Sequence, residues 1–289
     1  MDVMSHPRAV EIDCKPGSDG PAPFHKLKRF LEKAFPECCE ALRERWYERV
    51  SYKMLKSIAV QHSFAVQSGP FQGMRYLPEL LSTKKVVKYV LLPKILGCYE
   101  EELHGVLMEA IKRNYHKIVN IGSSEGYYSI GLSLRLSDAR VFAFDTDASA
   151  RQLCQRMARL NGVESRVIVE GECTTEHLQV LAGSRTLVIC DCEGFELGLL
   201  RPDLAPSLNM SDVLVELHDC VDPNISKAVP NRFARTHEVT VLTRLDRDPS
   251  ACPSLEGFSP YKQRLAVSEH RWGTPCVWSF MTARCNEQV

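Results

Sequence analysis

Two stretches of this chain carry more acid than a solvated surface needs. Asp191-Cys-Glu193-Gly194-Phe-Glu196 places three carboxylates close together, directly after the apolar run TLVIC at 186–190. Glu216-Leu-His218-Asp219 closes a second apolar run, DVLVEL at 212–217. Like charges held this close raise one another's energy unless a cation or a donor compensates them. His218 has the side chain whose ordinary pKa lies nearest neutrality, so it is the candidate general base, with Asp219 or Glu193 to orient its ring. A cation held among these oxygens would also relieve the crowding. The spacing leaves both chemistries open, with Asp191, Glu193, His218 and Asp219 as the catalytic candidates.

A third stretch has the grammar of a ligand turn. Val119-Asn120-Ile-Gly122-Ser123-Ser124-Glu125-Gly126-Tyr-Tyr follows an apolar run and precedes a helical pattern. Glycine lets backbone approach a ligand without a Cβ in the way, and the following helix start offers unpaired N–H groups. The glycines read G-x-x-x-G, and Ser124 stands where the close-approach glycine of a dinucleotide turn belongs. A pyrophosphate is therefore less favoured than an amino-acid and ribose moiety, and a nicotinamide-dependent oxidoreductase is disfavoured with it. Asp145 ends the next apolar run, VFAF at 141–144, where a carboxylate can accept from both ribose hydroxyls; Asp147 suits a helix N-cap better. Glu170-Gly-Glu172-Cys173 follows a further run, where Glu172 could meet an adenine amine or simply sit on a surface turn.

These residues fall at the ends of runs that alternate with helical stretches. Strands are expected at 117–121, 141–144, 166–170, 186–190, 212–217, 238–243 and 276–283. Such alternation implies βαβ units and a mainly parallel sheet, whose ligands gather at the carboxyl ends of the strands. Residues 245–274 read as loop. Upstream, 1–23 reads as a flexible tail, rich in Pro, Gly, Ser and Asp. Helical spacing runs from Phe24 to Ala59, interrupted near Pro36, and 63–78 suggests a short hairpin around Gly69-Pro70 and Gly73. A helix is expected at 100–115. The division is then a tail at 1–23, a helical cap with hairpin at 24–96, and the main domain at 97–289. The cap could cover a substrate site or mediate a homodimer.

Composition narrows the classes. Lys+Arg and Asp+Glu are equal at 36 each in 289 residues, which argues against a nucleic-acid footprint. No run approaches the roughly 18–20 apolar residues of a membrane span, and no secretory signal is visible, so a soluble cytoplasmic protein is expected. The 12 cysteines are scattered, several inside apparent core runs, and read as reduced apolar residues rather than disulfides or a zinc site.

Taken together, IVNIGSSEGYYSIGLSL, VFAFDTD and LVICDCEGFELGLL resemble a class I S-adenosylmethionine (SAM) dependent methyltransferase, and within that class the FkbM-type family. The resemblance spans roughly 97–245, these three runs are its most specific part, and Asp-x-Glu-Gly-x-Glu at 191–196 is the FkbM-like signature. It implies an α/β fold: a Rossmann-like, seven-stranded, mostly parallel sheet flanked by helices, with the N-terminal helical cap attached. It implies SAM as cofactor and O-methylation of a hydroxyl on a small molecule of the natural-product or sugar type. By that similarity Gly122, Ser123 and Gly126 line the methionine part of SAM, with Asn120, Glu125 and Asp191 beside them. Asp145 holds the ribose and Glu172 lies near adenine. Catechol-type O-methyltransferases hold Mg²⁺ with acids at the ends of the fourth and fifth strands; the similar placing of Asp191 and Asp219, with Glu216 nearby, implies such an ion, which would lower the pKa of a bound hydroxyl. The family usually carries Asp or Glu where this chain has Asn120, which cannot pair with the SAM ammonium. A non-catalytic binding or scaffold protein on the same fold is the alternative. Tyr127, Tyr128, His270, Arg271 and Trp272 are the candidates to line an acceptor pocket.

Overall fold

A computed structural model describes residues 36–82, 87–269 and 277–284. The expected tail, the start of the first helical pattern, and His270, Arg271 and Trp272 lie outside the described residues. Three helices lead in: α1 (Pro36–Gln61), α2 (Val87–Leu96) and α3 (His104–Lys112). The alternating part follows as β1 (Lys117–Ile121), α4 (Tyr127–Arg135), β2 (Arg140–Phe144), α5 (Ala148–Leu160), β3 (Val167–Glu170) and α6 (Thr175–Leu181). It continues through β4 (Thr186–Cys190), the single turn α7 (Glu196–Leu199), β5 (Asp212–Leu217), α8 (Ile225–Phe233), β6 (His237–Leu242), α9 (Pro260–Val267) and β7 (Val277–Ala283).

The strands form one sheet of 7 in the order β3-β2-β1-β4-β5-β7-β6. Strands β1 to β5 are parallel, and β7 runs antiparallel between β5 and β6. This is the expected Rossmann-like sheet. Its parallel centre is buried on both faces, and side chains alternate between two hydrophobic layers. Ile118, Leu187, Ile189 and Leu214 enter the layer covered by α1 to α5, while Val119, Ile121, Val188 and Val215 enter the layer under α6, α7 and α8. Chain order reverses between β1 and β4, so a crevice opens beyond their carboxyl ends.

Residues 64–76 fold back on themselves through an isolated antiparallel bridge of Ala65 to Arg75. Val66 donates its N–H to the Met74 carbonyl at 2.8 Å, and Tyr76 donates to the Phe64 carbonyl at 2.8 Å. Phe71, Met74 and Tyr76 are buried by this turn. The loop expected at 245–274 is corrected in part, because it contains α9. Pro260 opens that helix after an extended Ser259, and Leu265, Ala266 and Val267 are buried by it. The density of Pro and Gly hid a helix whose proline sits where the helix needs no N–H.

Asp212, buried at the start of β5, ties three segments together. Its Oδ2 accepts from the Tyr115 hydroxyl and from Arg113 Nη1 at 3.0 Å, just before β1. Its Oδ1 accepts from the Ala283 N–H at 2.8 Å, at the end of β7. Removing the carboxylate strands a buried hydroxyl and a backbone N–H. Asp212→Ala should therefore lose about 2–4 kcal/mol in chemical denaturation; an unchanged midpoint would show that these bonds do not anchor the sheet.

Candidate functional site

The strand registers bring the acids of the sequence to one edge. Cys190 is opposite Val215, so Asp191 follows β4 beside Glu216 of β5. Glu216 is in turn opposite Trp278 of β7. Asn120 is opposite Ile189 and shares the sheet face of Asp191 and Glu216. At the crevice between β1 and β4, the Asp191 N–H donates to the Ile121 carbonyl at 3.0 Å. The crossing is tight there. Gly122 has φ +76°, and a Cβ on it would lie 1.6 Å from the Asp191 carbonyl oxygen. Gly122 is thus required by the neighbouring strand. Gly126, at φ +96°, is constrained in the same way, since a Cβ would lie 2.9 Å from Cys154 Sγ.

The turn spends its amides inside the protein. Gly122 and Ser123 both donate to the Phe144 carbonyl at 2.9 Å, Ser124 donates to Asp145 Oδ2 at 2.8 Å, and Gly126 donates to the Ser123 carbonyl at 2.8 Å. An anion approaching these four N–H groups finds them taken. Asp145 Oδ1 also accepts from the Asp147 N–H at 2.8 Å. Two backbone bonds hold this half-buried carboxylate, and each oxygen keeps a lone pair for a further donor. Asp147 caps α5 through the Ser149 N–H, as expected of it. Asn120 Oδ1 accepts from Ser129 Oγ at 2.8 Å, leaving the buried Asn120 Nδ2 and Ser123 Oγ without hydrogen-bond partners. Glu172 is exposed beyond β3.

His218 is 3% exposed and is oriented by a residue other than those expected. Its Nδ1 lies 2.6 Å from Glu196 Oε1, and Glu196 is wholly buried. That bond turns Nε2 toward Asp191 Oδ1 and Glu193 Oε2, each at 3.6 Å, and Glu216 Oε2 at 3.7 Å. Glu193 reaches this position from a left-handed backbone, φ 54°, followed by Gly194 at φ 104°. Burial pulls the His218 pKa down, but the bond to Glu196 and the charges of Glu216, Glu196 and Glu193 outweigh it and leave the pKa raised. For Glu196, burial pushes upward, yet the His218 bond and charge leave the carboxyl below its ordinary value. Asp191 is pushed well up, first by burial and then by the charges of Glu216 and Glu100. Asp191 Oδ1 has no hydrogen-bond partner.

Three expectations need correction. Asp219 does not join this group: its oxygens accept from the Ser226 N–H at 2.8 Å and Ser226 Oγ at 2.5 Å, anchoring the start of α8. It neither orients His218 nor completes a trio with Asp191 and Glu216 around an ion. Glu125 turns inward, where its buried carboxylate meets Lys94 Nζ at 2.5 Å and the Tyr76 hydroxyl at 3.3 Å. Burial alone would raise its pKa; the Lys94 ammonium more than offsets that and holds it low. Tyr127 and Tyr128 are buried against Phe71 and Trp278 instead of lining an open pocket.

The sequence reading missed Glu196 as the partner of His218, although Glu196 stood in the same acidic run. It also missed Glu100, whose N–H donates to Glu269 Oε1 at 2.6 Å and whose carboxylate accepts from the Tyr128 hydroxyl. Phe195 and Val221 flank the group in sequence and are 76% and 60% exposed. Lone apolar residues beside turns carry no signal in one sequence. A separate cavity of about 270 Å³ lies on the other sheet face, lined by Phe142, Glu170, Glu176, His177, Val180 and Leu181.

No family model matches the chain, and no curated protein matches it. Among solved structures it is similar to the O-methyltransferase TomG from Streptomyces achromogenes, involved in tomaymycin synthesis and solved with SAM. The two are 15% identical, with 73% of this chain and 92% of that chain covered and a TM-score of 0.45. It is also similar to an O-methyltransferase from Bacillus cereus in complex with SAH, at 11% identity, 81% and 90% coverage and a TM-score of 0.39. An rRNA methylase from Streptococcus thermophilus is 10% identical, with 63% and 96% covered and a TM-score of 0.41. Likeness this distant leaves ligand and reaction to the site itself.

The raised His218 pKa has a consequence for stability. Its protonated form is favoured by folding, so this stabilisation is complete below the unfolded value of about 6.5 and is lost as pH rises through the folded value. The stability difference between the native chain and His218→Gln should shrink as pH rises above about 6.5. Thermal melts across pH measure it; a difference that grows with pH would contradict the Glu196–His218 bond.

Proposed function

We propose that this chain is an enzyme that transfers the methyl group of SAM to a hydroxyl of a small-molecule acceptor, at the carboxyl edge of β1, β4 and β5. The observation that supports this most is the charge imbalance there. Asp191, Glu193 and Glu216 surround one imidazole, and the N–H groups of Gly122, Ser123, Ser124 and Gly126 are already bonded. A ligand with a cationic centre suits this edge; a pyrophosphate does not.

When bound, SAM supplies an electrophilic methyl group carried on a sulfonium. Asp145 offers a lone pair on each held oxygen to the two ribose hydroxyls. Asn120 Nδ2 and Ser123 Oγ, both buried and unpartnered, are donors suited to the carboxylate of the amino-acid end. Asn120 then reads as a partner for the carboxylate, where an acid would serve the ammonium. Glu172, exposed beyond β3, would meet the adenine amine. Phe195 and Val221 offer apolar surface for the acceptor, and the balanced net charge favours a small molecule over a nucleic acid.

In the metal-free chain the acceptor proton goes to His218 Nε2, since Nδ1 is committed to Glu196. The buried Glu196 carboxylate fixes the ring and stabilises the imidazolium that forms. Transfer therefore needs neutral imidazole at the start, and its rate should rise with pH through a pKa above about 6.5.

Calorimetry with SAM on the native chain and on Asp145→Ala tests the cofactor, and label transfer from SAM to an acceptor panel by His218→Ala tests the base. The expected outcome is SAM binding that weakens about ten-fold or more in Asp145→Ala, two bonds to ribose being lost, and transfer that collapses in His218→Ala. Failure of the native chain to bind SAM or its demethylated product would favour the non-catalytic scaffold, the reading that the uncharged Asn120 supports. Full activity in His218→Ala would remove the imidazole from the mechanism.

A further inference from the structure

The geometry points to a binding site for a divalent first-row transition cation formed by Asp191, Glu193 and His218. One ligand atom from each of the three lies within 4.8 Å of the others. The imidazole Nε2 stands 3.6 Å from an oxygen of Asp191 and 3.6 Å from one of Glu193. Donor atoms bonded at 2.0–2.1 Å to a tetrahedral ion are roughly 3.4 Å apart, so these separations match the edges of a coordination polyhedron. They are too long for hydrogen bonds.

Two further observations separate this from a mere crowd of acids. His218 is 3% exposed, and its Nε2 is aimed into the group. Asp191 Oδ1, facing the same point, is inaccessible and has no hydrogen-bond partner. Meanwhile Nδ1 is held by the buried Glu196 at 2.6 Å, the carboxylate–imidazole arrangement that fixes a metal-binding ring from behind. Glu216 Oε2, 3.7 Å from Nε2, adds negative charge beside the position. A ring nitrogen among the ligands favours Mn, Fe, Co, Ni or Zn over Mg²⁺, which prefers oxygen and water. The trio also differs from Asp191, Glu216 and Asp219, since Asp219 is engaged with Ser226.

Metal binding does not depend on the methyl-transfer reading. Where both hold, Nε2 is a ligand in the metal-loaded chain, and the cation takes over the task of lowering the pKa of a hydroxyl that reaches it. The test uses Co²⁺ alone, because its spectrum separates nitrogen and oxygen ligands from thiolates in a chain with 12 cysteines. Chelator-treated, full-length protein is titrated with Co²⁺, and the same titration is repeated with excess Mg²⁺ present.

The expected result is a single Co²⁺ per chain, with no thiolate charge-transfer band and no displacement by Mg²⁺. Binding should disappear in His218→Ala and persist in Cys192→Ser. Glu196→Gln, which leaves the ligands in place, should weaken it roughly ten-fold or more. Glu193 is 86% exposed, so Glu193→Gln keeps the fold, and it too should weaken binding. Absence of bound Co²⁺, a thiolate band, or unchanged affinity in Glu193→Gln would overturn the site. SAM binding measured on the same samples keeps the two readings apart. Co²⁺ without SAM contradicts only methyl transfer, and SAM without Co²⁺ contradicts only the metal site.

Discussion

The closeness of β1 and β4 at their carboxyl ends constrains everything above it. No side chain fits at Gly122, because the Asp191 carbonyl occupies the space a Cβ would take. That crossing fixes where β4 ends, and so where Asp191 emerges beside Glu216. It also presses the turn after β1 against the end of β2, where the Phe144 carbonyl and the Asp145 carboxylate take up the turn's N–H groups. One contact between backbones thus places the acids of one strand pair and the carboxylate of the other on the same edge.

Such an edge is electrostatically costly, and the protein offsets the cost. The Glu196–His218 bond holds a cationic or neutral ring among these acids. Lys94 performs a related task for Glu125, with its ammonium 4.6 Å from the Tyr99 ring centroid and 5.1 Å from that of Tyr127. That pair joins the leading helix α2 to the turn after β1, so α2 is locked to the same edge by a buried charge pair. Breaking either partner alone would leave an uncompensated charge in the core. Asp191 keeps an unanswered oxygen, and this residual imbalance suits the edge to a cationic ligand.

Much of this was legible in the sequence because the parallel strands are apolar on both faces and end abruptly in acid or glycine. KIVNI, VFAF, TLVIC and DVLVEL mark their own ends, and the ends mark the edge. What the sequence hides is direction. Nothing in Asp191-Cys-Glu193-Gly194-Phe-Glu196 says that Glu196 turns inward to His218 while Glu193 reaches it from outside. Nothing in His218-Asp219 says that Asp219 bends away to Ser226. Those outcomes depend on the left-handed step at Glu193-Gly194 and on the start of α8, both of which are tertiary. Glu125 shows the same limit, since a carboxylate inside a ligand turn looks functional until Lys94, 31 positions earlier, is seen to neutralise it. The helix within 245–274 was hidden differently, by prolines that serve as helix starts.

The most direct test of the central claim is a crystal structure of the full chain with S-adenosylhomocysteine. The account predicts the ligand across the β1–β4 crevice, its ribose hydroxyls on Asp145 and its sulfur facing Asp191 and His218. Ligand bound elsewhere, such as in the cavity lined by Phe142 and His177, or an empty crevice at saturating ligand, would contradict it.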